Sequence, residues 1–500
     1  MRRFILTSMV AALAFAVANA AAQSAVVTAL CVSKRPGCYS TIQAAVNAAH
    51  DGDTITVVPG TYAGPIVIGK SVQLVGAAAA ATVIEGGGPV VTIGDLTGGT
   101  APTVSISRVT ITGGVTNGSE FGGTAIAGAG GVFIPGPDTG NATAATVSIS
   151  DSIITGNRSS PLTVIEPTTP PGPPCGRRVC AFAGAGGIEN AGVLTLTNTL
   201  VTDNVAGSTP IDPSVATDAA GGGVSNHPHA TLTLKSCVVS GNRAVVSGAF
   251  AQFASGGAID AFGHFTVEDS QITGNSAEID SSYPGGGTAA GGGIDLERGA
   301  TAVISRSIVS RNSVDVSDTA GEATVAGGGL DADGTLLLTS SLVDQNLISS
   351  SVAPGSGLPA VALGGAIEND GLEQVTVRDS SIRGNSASAT SVGGFAAIGG
   401  GGIANLSSQV ALERTLVVAN TATATGAVGF AGGGGIVNVV PPGANTPPPQ
   451  LSLADSTVTA NQVSGGGGIT PAGGGIFSDT AVTLTRTAIA GNRPDQCVGC

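Results

Sequence analysis

Tryptophan is absent from this 500-residue chain, tyrosine occurs three times, and aromatic residues make up only 3% of it. A core built from large rings is therefore excluded, and a sugar groove of stacked aromatics has few rings to draw on. Lysine is nearly missing, with Lys34, Lys70 and Lys235 as the whole set. Nineteen basic residues against 33 acidic ones leave a formal charge of −14, so the basic footprint that nucleic acid requires is lacking. After residue 18 no stretch approaches the ~18 uninterrupted apolar residues of a membrane helix, and no transmembrane span is expected in the mature chain. Charged residues amount to 10%, a scarcity that does not mean disorder, because 42% of the chain is hydrophobic. Most of those residues are small or β-branched, which suits thin, closely stacked strands.

What is present begins with an export signal. Arg2 and Arg3 precede the apolar stretch Phe4 to Ala18, followed by the small-residue pattern Ala18-Asn19-Ala20. Residues 1–22 are read as a signal peptide, 23–53 as an N-terminal cap and 54–500 as one repeat domain, secreted or held at the cell surface. Six of the seven cysteines fall into close pairs: Cys31 with Cys38, Cys175 with Cys180, and Cys497 with Cys500. In an exported chain these spacings read as local disulfides.

Ten times the chain repeats an aliphatic residue, two variable residues and an asparagine. The asparagines are Asn157, Asn204, Asn242, Asn275, Asn312, Asn346, Asn385, Asn420, Asn461 and Asn492, separated by 31 to 47 residues. A fixed motif with elastic spacing marks one structural unit stacked many times, with its insertions confined to loops. Ten and eight residues before each asparagine stand apolar pairs such as Leu194/Leu196 and Phe265/Val267. That alternation is a half-buried strand. A glycine run ending in an aliphatic residue, such as Gly293-Ile294, opens a second strand in each copy.

No helix-length segment interrupts the repeats, so βαβ units are excluded. The expected fold is all-β: a right-handed parallel β-helix of about ten to twelve coils, with the asparagines in a ladder. A helix over residues 40–49, N-capped by Ser40 or Thr41, is expected to cover the first coil. Five residues before each asparagine lies a Ser/Thr column in which Cys237 takes one place, so Cys237 reads as a small packed residue. One residue earlier, Asp269 is expected to face Arg306, and Asp379, Arg414, Asp455 and Arg486 alternate in sign. The stretches between each asparagine and the next glycine run read as Ala-, Ser- and Gly-rich loops.

Two resemblances follow from these residues. Residues 40–76, with Thr41-Ile-Gln-Ala-Ala-Val-Asn-Ala-Ala-His50 and Pro59-Gly-Thr-Tyr62, resemble the opening of secreted pectin-lyase-like right-handed β-helix proteins. Residues 123–492, with Gly-Gly-Ala-Ile at 256–259 and 364–367, resemble the repeats of bacterial polymorphic outer membrane proteins, an aliphatic residue standing where those carry Phe-x-x-Asn. The resemblance implies the β-helix fold, which hosts lyases, hydrolases, esterases, adhesins and inert spacers alike.

Candidate chemistry concentrates at residues 250–300 and beyond. The residue after each glycine-run aliphatic is expected to point outward: Asp260, Asp295, Asp331 and Glu368, with Phe262, Glu297, Asp333 and Asp370 two residues further on. Seven carboxylates on four coils form a candidate calcium strip, calcium being the hard ion that accepts several carboxylate oxygens. A solvated acidic face is the plainer alternative. For catalysis the candidates are Asp260 and Asp295 as a carboxylate pair, with His264 nearby and Arg298 as a base. Phe262 and Tyr283 are the candidate sugar contacts. No nucleophile elbow, phosphate loop or dinucleotide fingerprint is present. These residues point to an exported, non-catalytic adhesion or glycan-contacting protein. The alternative is a calcium-assisted polysaccharide lyase or glycosidase. No cofactor is required by the fold; calcium is the candidate, and a polysaccharide or cell-surface component the candidate partner.

Overall fold

The computed structural model describes residues 29–94, 101–117, 119–121, 124–139, 143–160, 180–208, 216–248, 251–441 and 446–500. The expected signal peptide and Cys175, with its expected pairing to Cys180, lie outside them. The fold is a right-handed parallel β-helix whose four sheets hold 14, 19, 13 and 13 strands. One coil illustrates the rest. Ile259–Ala261 belongs to the glycine-run sheet, His264–Glu268 to a second sheet and Gln271–Thr273 to a third. Each pairs in parallel with its counterpart 35 to 37 residues on, as in Ile259↔Ile294 and Gln271↔Ile308. Ile259, Ala261, Phe265, Val267 and Ile272 point inward to a shared apolar core.

Two corners explain the motif. Residues at the charge-alternating column adopt left-handed backbone in every copy, with φ of 50° at Asp269, 48° at Arg306 and 49° at Ser340. The residue before each asparagine does the same, from Gly156 through Arg311 to Gly491. Between these sharp bends only three residues form a strand, and the asparagine must satisfy the bent backbone. Asn275 Nδ2 donates to Asn312 Oδ1 at 2.9 Å, and the Asn275 backbone N–H donates to the same oxygen at 3.0 Å. The ladder runs unbroken from Asn157 to Asn492, where Gln496 Oε1 takes the last place. Buried amides linked this way leave no polar atom of the corner unpaired.

The glycine-rich stretches are not loops. In most coils the chain leaves the asparagine as one strand, such as Ser276–Ser281, and returns as another, Gly287–Ala290, while after Asn385 and Asn420 one long strand spans both, Ser386–Gly399 and Thr421–Gly432. Stacked on their neighbours these form outgoing and returning layers of a fin, enclosing a second core of Ala277, Ile279 and Ala289 among others. The side chains are too small to announce a strand by hydrophobicity. Stacking supplies the backbone partners from the coils on either side, so Ala and Val suffice to close the thin space between the layers.

Glycine is required where the fin rejoins the core. A Cβ on Gly257 would lie 2.3 Å from the Gly292 carbonyl oxygen and 2.5 Å from Ser276. No side chain fits there.

The N-terminal cap is the helix Ile42–Ala48, with Thr41 Oγ1 accepting from the Ala44 N–H at 3.1 Å. It buries Ile42, Ala45 and Val46 against the first coil. Disulfides join Cys31 to Cys38 and Cys497 to Cys500. Cys237 is free and buried, its Sγ against the Lys235 carbonyl. Among the described residues no helix is long and apolar enough to cross a membrane.

Candidate functional site

The fin meets the glycine-run sheet at an angle, and the outer face of that sheet forms the floor of the resulting groove. Its floor column runs Phe133, Glu189, Ser225, Asp260, Asp295, Asp331, Glu368, each in register with the next. Beyond Glu368 it continues through Ala404 and Val437 to Phe477. The returning layer is the wall. Side chains alternating with those of the fin core face the floor, among them Phe182, Asp218, Phe253 and Phe430. The Ser255 hydroxyl reaches Asp260 across the angle, and Phe430 packs edge-on against Phe477 with ring centroids 5.0 Å apart.

Nine strand steps separate Phe133 from Phe477, a groove of roughly 43 Å at ~4.8 Å per step. Phenylalanines stand at both ends, and Phe253 and Phe262 lie about a third of the way along from Phe133. Phe262 is 39% exposed.

The four floor carboxylates do not project into solvent as their sequence position suggests. Asp260 is 1% exposed, Asp295 4%, Asp331 9% and Glu368 3%. The returning strands fold over them, and no sequence pattern in the glycine-run strands encodes that cover. Glu297 and Asp333 are half-buried, while Asp370 and Arg298 are exposed, so these form the lip above the floor. Among the described residues, no lysine, arginine or histidine forms an ion pair with any of the seven.

Burial dominates the electrostatics. It pushes the Asp260 carboxyl well above the usual range, helped by the Glu297 charge. Asp295 is raised well above it by burial and by Asp331, Glu297 and Asp260. Asp331 is pushed up to about 7 by burial, against a lowering hydrogen bond with Glu368. Glu368 is raised by burial and by the charges of Asp331 and Asp370. Burial and a hydrogen bond with Asp370 bring Asp333 to about 8. On the wall, burial brings Asp218 to about 6.

Two groups have the geometry of a cation site: Asp260, Asp295 and Glu297, and Asp331, Asp333 and Glu368, with one oxygen from each residue within 4.8 Å of the others.

Of the catalytic candidates, Asp260 and Asp295 are brought together on neighbouring coils, but His264 does not join them. His264 opens the adjoining sheet, in register with Thr231 and Thr301 and exposed on its outer face, away from the groove floor. Arg298 is near enough for its charge to lower Glu297 and Asp333. Asp260 and Asp295 lie too deep for a polymer to touch. Tyr283 sits at the fin tip between Ser276–Ser281 and Gly287–Ala290, at the far end of the returning strand from Phe262. His227 and His229 bind Glu189 and Asp138 at 3.1 and 2.6 Å.

The wall residues were missed because the returning strands read as loops. Their signal is a fixed offset: Phe182, Asp218, Phe253 and Phe430 each stand four residues before a buried glycine, namely Gly186, Gly222, Gly257 and Gly434. A shallow depression of about 580 Å³ lies elsewhere, lined by Arg306, Ser340, Asp379 and Arg414. Its arginines are already paired with Asp269, Glu268 and Asp379.

No family model matches this chain, and no curated protein does. Among solved structures it is similar to the A-module of Azotobacter vinelandii mannuronan C-5 epimerase AlgE4, at 13% identity over 91% of this chain and 94% of that one, with a TM-score of 0.30. The AlgE6 A-module of the same organism aligns at 14% identity over 90% and 94%, with a TM-score of 0.29. A likeness of that size carries no activity across.

Proposed function

We propose that this is an extracellular or cell-surface protein that holds a polysaccharide along the groove without turning it over. The observation that carries the reading is the phenylalanine distribution. Phe133, Phe182, Phe253, Phe262, Phe430 and Phe477 stand on the floor column, the facing wall column or the lip beside them, in a chain that has 12 phenylalanines in all. Rings set at both ends and part-way along one column offer apolar faces to a long sugar chain at separate points of its length.

The acids speak against turnover. A glycosidase needs two carboxylates ~5 Å or more apart with a sugar between them. Here each floor carboxylate is buried and lies within 4.8 Å of another carboxylate. Calcium is the candidate cofactor on donor chemistry, since every side-chain ligand offered is a carboxylate oxygen. Export into an oxidising compartment agrees with the two disulfides.

One observation favours the alternative, a calcium-assisted lyase: the exposed Arg298 stands beside Glu297 and Asp333 at the lip, where a proton could be taken from a bound sugar. A panel of neutral and uronic-acid polymers, with and without calcium, separates the two. The expected result is retention of at least one polymer, weakened tenfold or more in Phe262→Ala, with no new reducing or unsaturated ends. Accumulating ends would replace this reading with the lyase, and retention of no polymer would remove both.

A further inference from the structure

Several acids elsewhere in this molecule are matched with arginines in register on the next coil. Arg306 holds Asp269 and Glu268, Arg414 holds Asp379, and Arg486 holds Asp455, all at the surface. The groove floor reverses that economy of charge. Its acids are buried and have no basic partner among the described residues, although an unpaired buried carboxylate costs several kcal/mol. Three oxygens have no hydrogen-bond partner at all: Asp260 Oδ1, Asp331 Oδ1 and Asp333 Oδ1. Asp260 and Asp331 are themselves more than nine-tenths buried. The row is also bounded, since Ser225 precedes Asp260 in the column and Ala404 follows Glu368.

We propose that the floor is a pair of separate divalent-cation sites, one held by Asp260, Asp295 and Glu297 and the other by Asp331, Glu368 and Asp333. Each takes two floor carboxylates from neighbouring coils and one lip carboxylate two residues along the same strand direction. Oxygens that share an ion at ~2.4 Å lie no more than about 4.8 Å apart, and each group satisfies that limit. The centres of the two groups are two strand steps apart, roughly 10 Å, which lets both ions bind without a shared ligand. All six donors are hard oxygens, so calcium is selected over zinc or copper. The half-buried Glu297 and Asp333 leave each ion open towards the groove, where water or a sugar hydroxyl completes its shell. Cation loading is the calcium element of the function proposed above and needs no glycan.

Calorimetric titration of the full chain with calcium alone tests this. The expected stoichiometry is two ions per chain. Asp295→Asn is expected to remove one ion and Glu368→Gln the other, and the double variant is expected to bind none. Neutral replacements relieve buried charge, so the variants are expected to fold, with unchanged circular dichroism. As a control, Asp315→Asn, in the acidic patch with Glu278 and Asp280 on the fin's outgoing layer, is expected to leave both ions bound. A stoichiometry of one, binding unaffected by Asp295→Asn and Glu368→Gln, or no binding at millimolar calcium would overturn the proposal. Two ions bound by a protein that retains no polymer would leave these sites standing and remove the glycan reading alone.

Discussion

Asp260 and Asp295 stand side by side on neighbouring parallel strands, both buried, and among the described residues no positive charge is paired to either. Like charges one strand step apart, out of water, make the calcium-free protein sensitive to pH in an unusual direction.

The sign follows from the raised carboxyls. An unfolded aspartate titrates near 4, whereas Asp331 in the fold titrates at about 7 and Asp333 at about 8. Protons therefore favour the folded state, and stability is lost as pH rises from about 4 through 8. Asp331 alone corresponds to on the order of 4 kcal/mol, at ~1.4 kcal/mol per pKa unit. In a chelator the melting temperature is expected to fall between pH 5 and 8.5, and Asp331→Asn is expected to flatten that fall. A melting temperature that rises over this window contradicts the assignment.

The asparagine ladder is expected to be locally indispensable. Asn312 Oδ1 accepts from the Asn275 N–H and Nδ2, and Asn312 Nδ2 donates to Asn346 Oδ1 and the Ile272 carbonyl. Asn312→Leu strands several buried polar groups at ~1–3 kcal/mol each, so a loss of about 3 kcal/mol or more is expected. Hydrogen exchange should show it as lost protection at the Asn275 amide and its neighbouring coils, since each coil contacts only its neighbours. Unchanged protection there would count against the ladder.

The left-handed corners give a test of backbone alone. Ser340 is exposed at φ 49°. Ser340→Gly is expected to be neutral or slightly stabilising. Ser340→Val should destabilise by ~1–2 kcal/mol, because a β-branched residue resists that conformation. Thermal unfolding of the two variants checks the order, and equal melting temperatures would refute it.

Cys237 is expected to be inert. It is 1% exposed, and burial pushes its thiol up. The native protein should not react with a thiol reagent, and Cys237→Ser should cost less than ~1 kcal/mol, because Ser270 and Ser307 hold the same place in neighbouring coils. Rapid labelling of the folded chain would show the column to be open.

Much of the fold was legible because stacking turns recurrence into contact. Asn275 meeting Asn312 and Asp269 meeting Arg306 needed only the knowledge that copies lie in register. The glycines were legible as corners for the same reason. The acid row was legible as a row, since the residue after each glycine-run aliphatic must share a column, but its surroundings were not. The fin strands carry Ala, Ser and Gly, whose weak hydrophobicity does not distinguish a strand from a loop.

Sequence alone thus determined which residues stack on which, because a repeat's register is a one-dimensional property that periodicity records. Tertiary structure decided which way the columns face. The returning layer folds back across the outer face of the glycine-run strands, and this long-range closure turns a strip of surface acids into a buried, unpaired floor. Burial is set by what covers a residue, and here the cover arrives from a segment whose own letters are too small to reveal it.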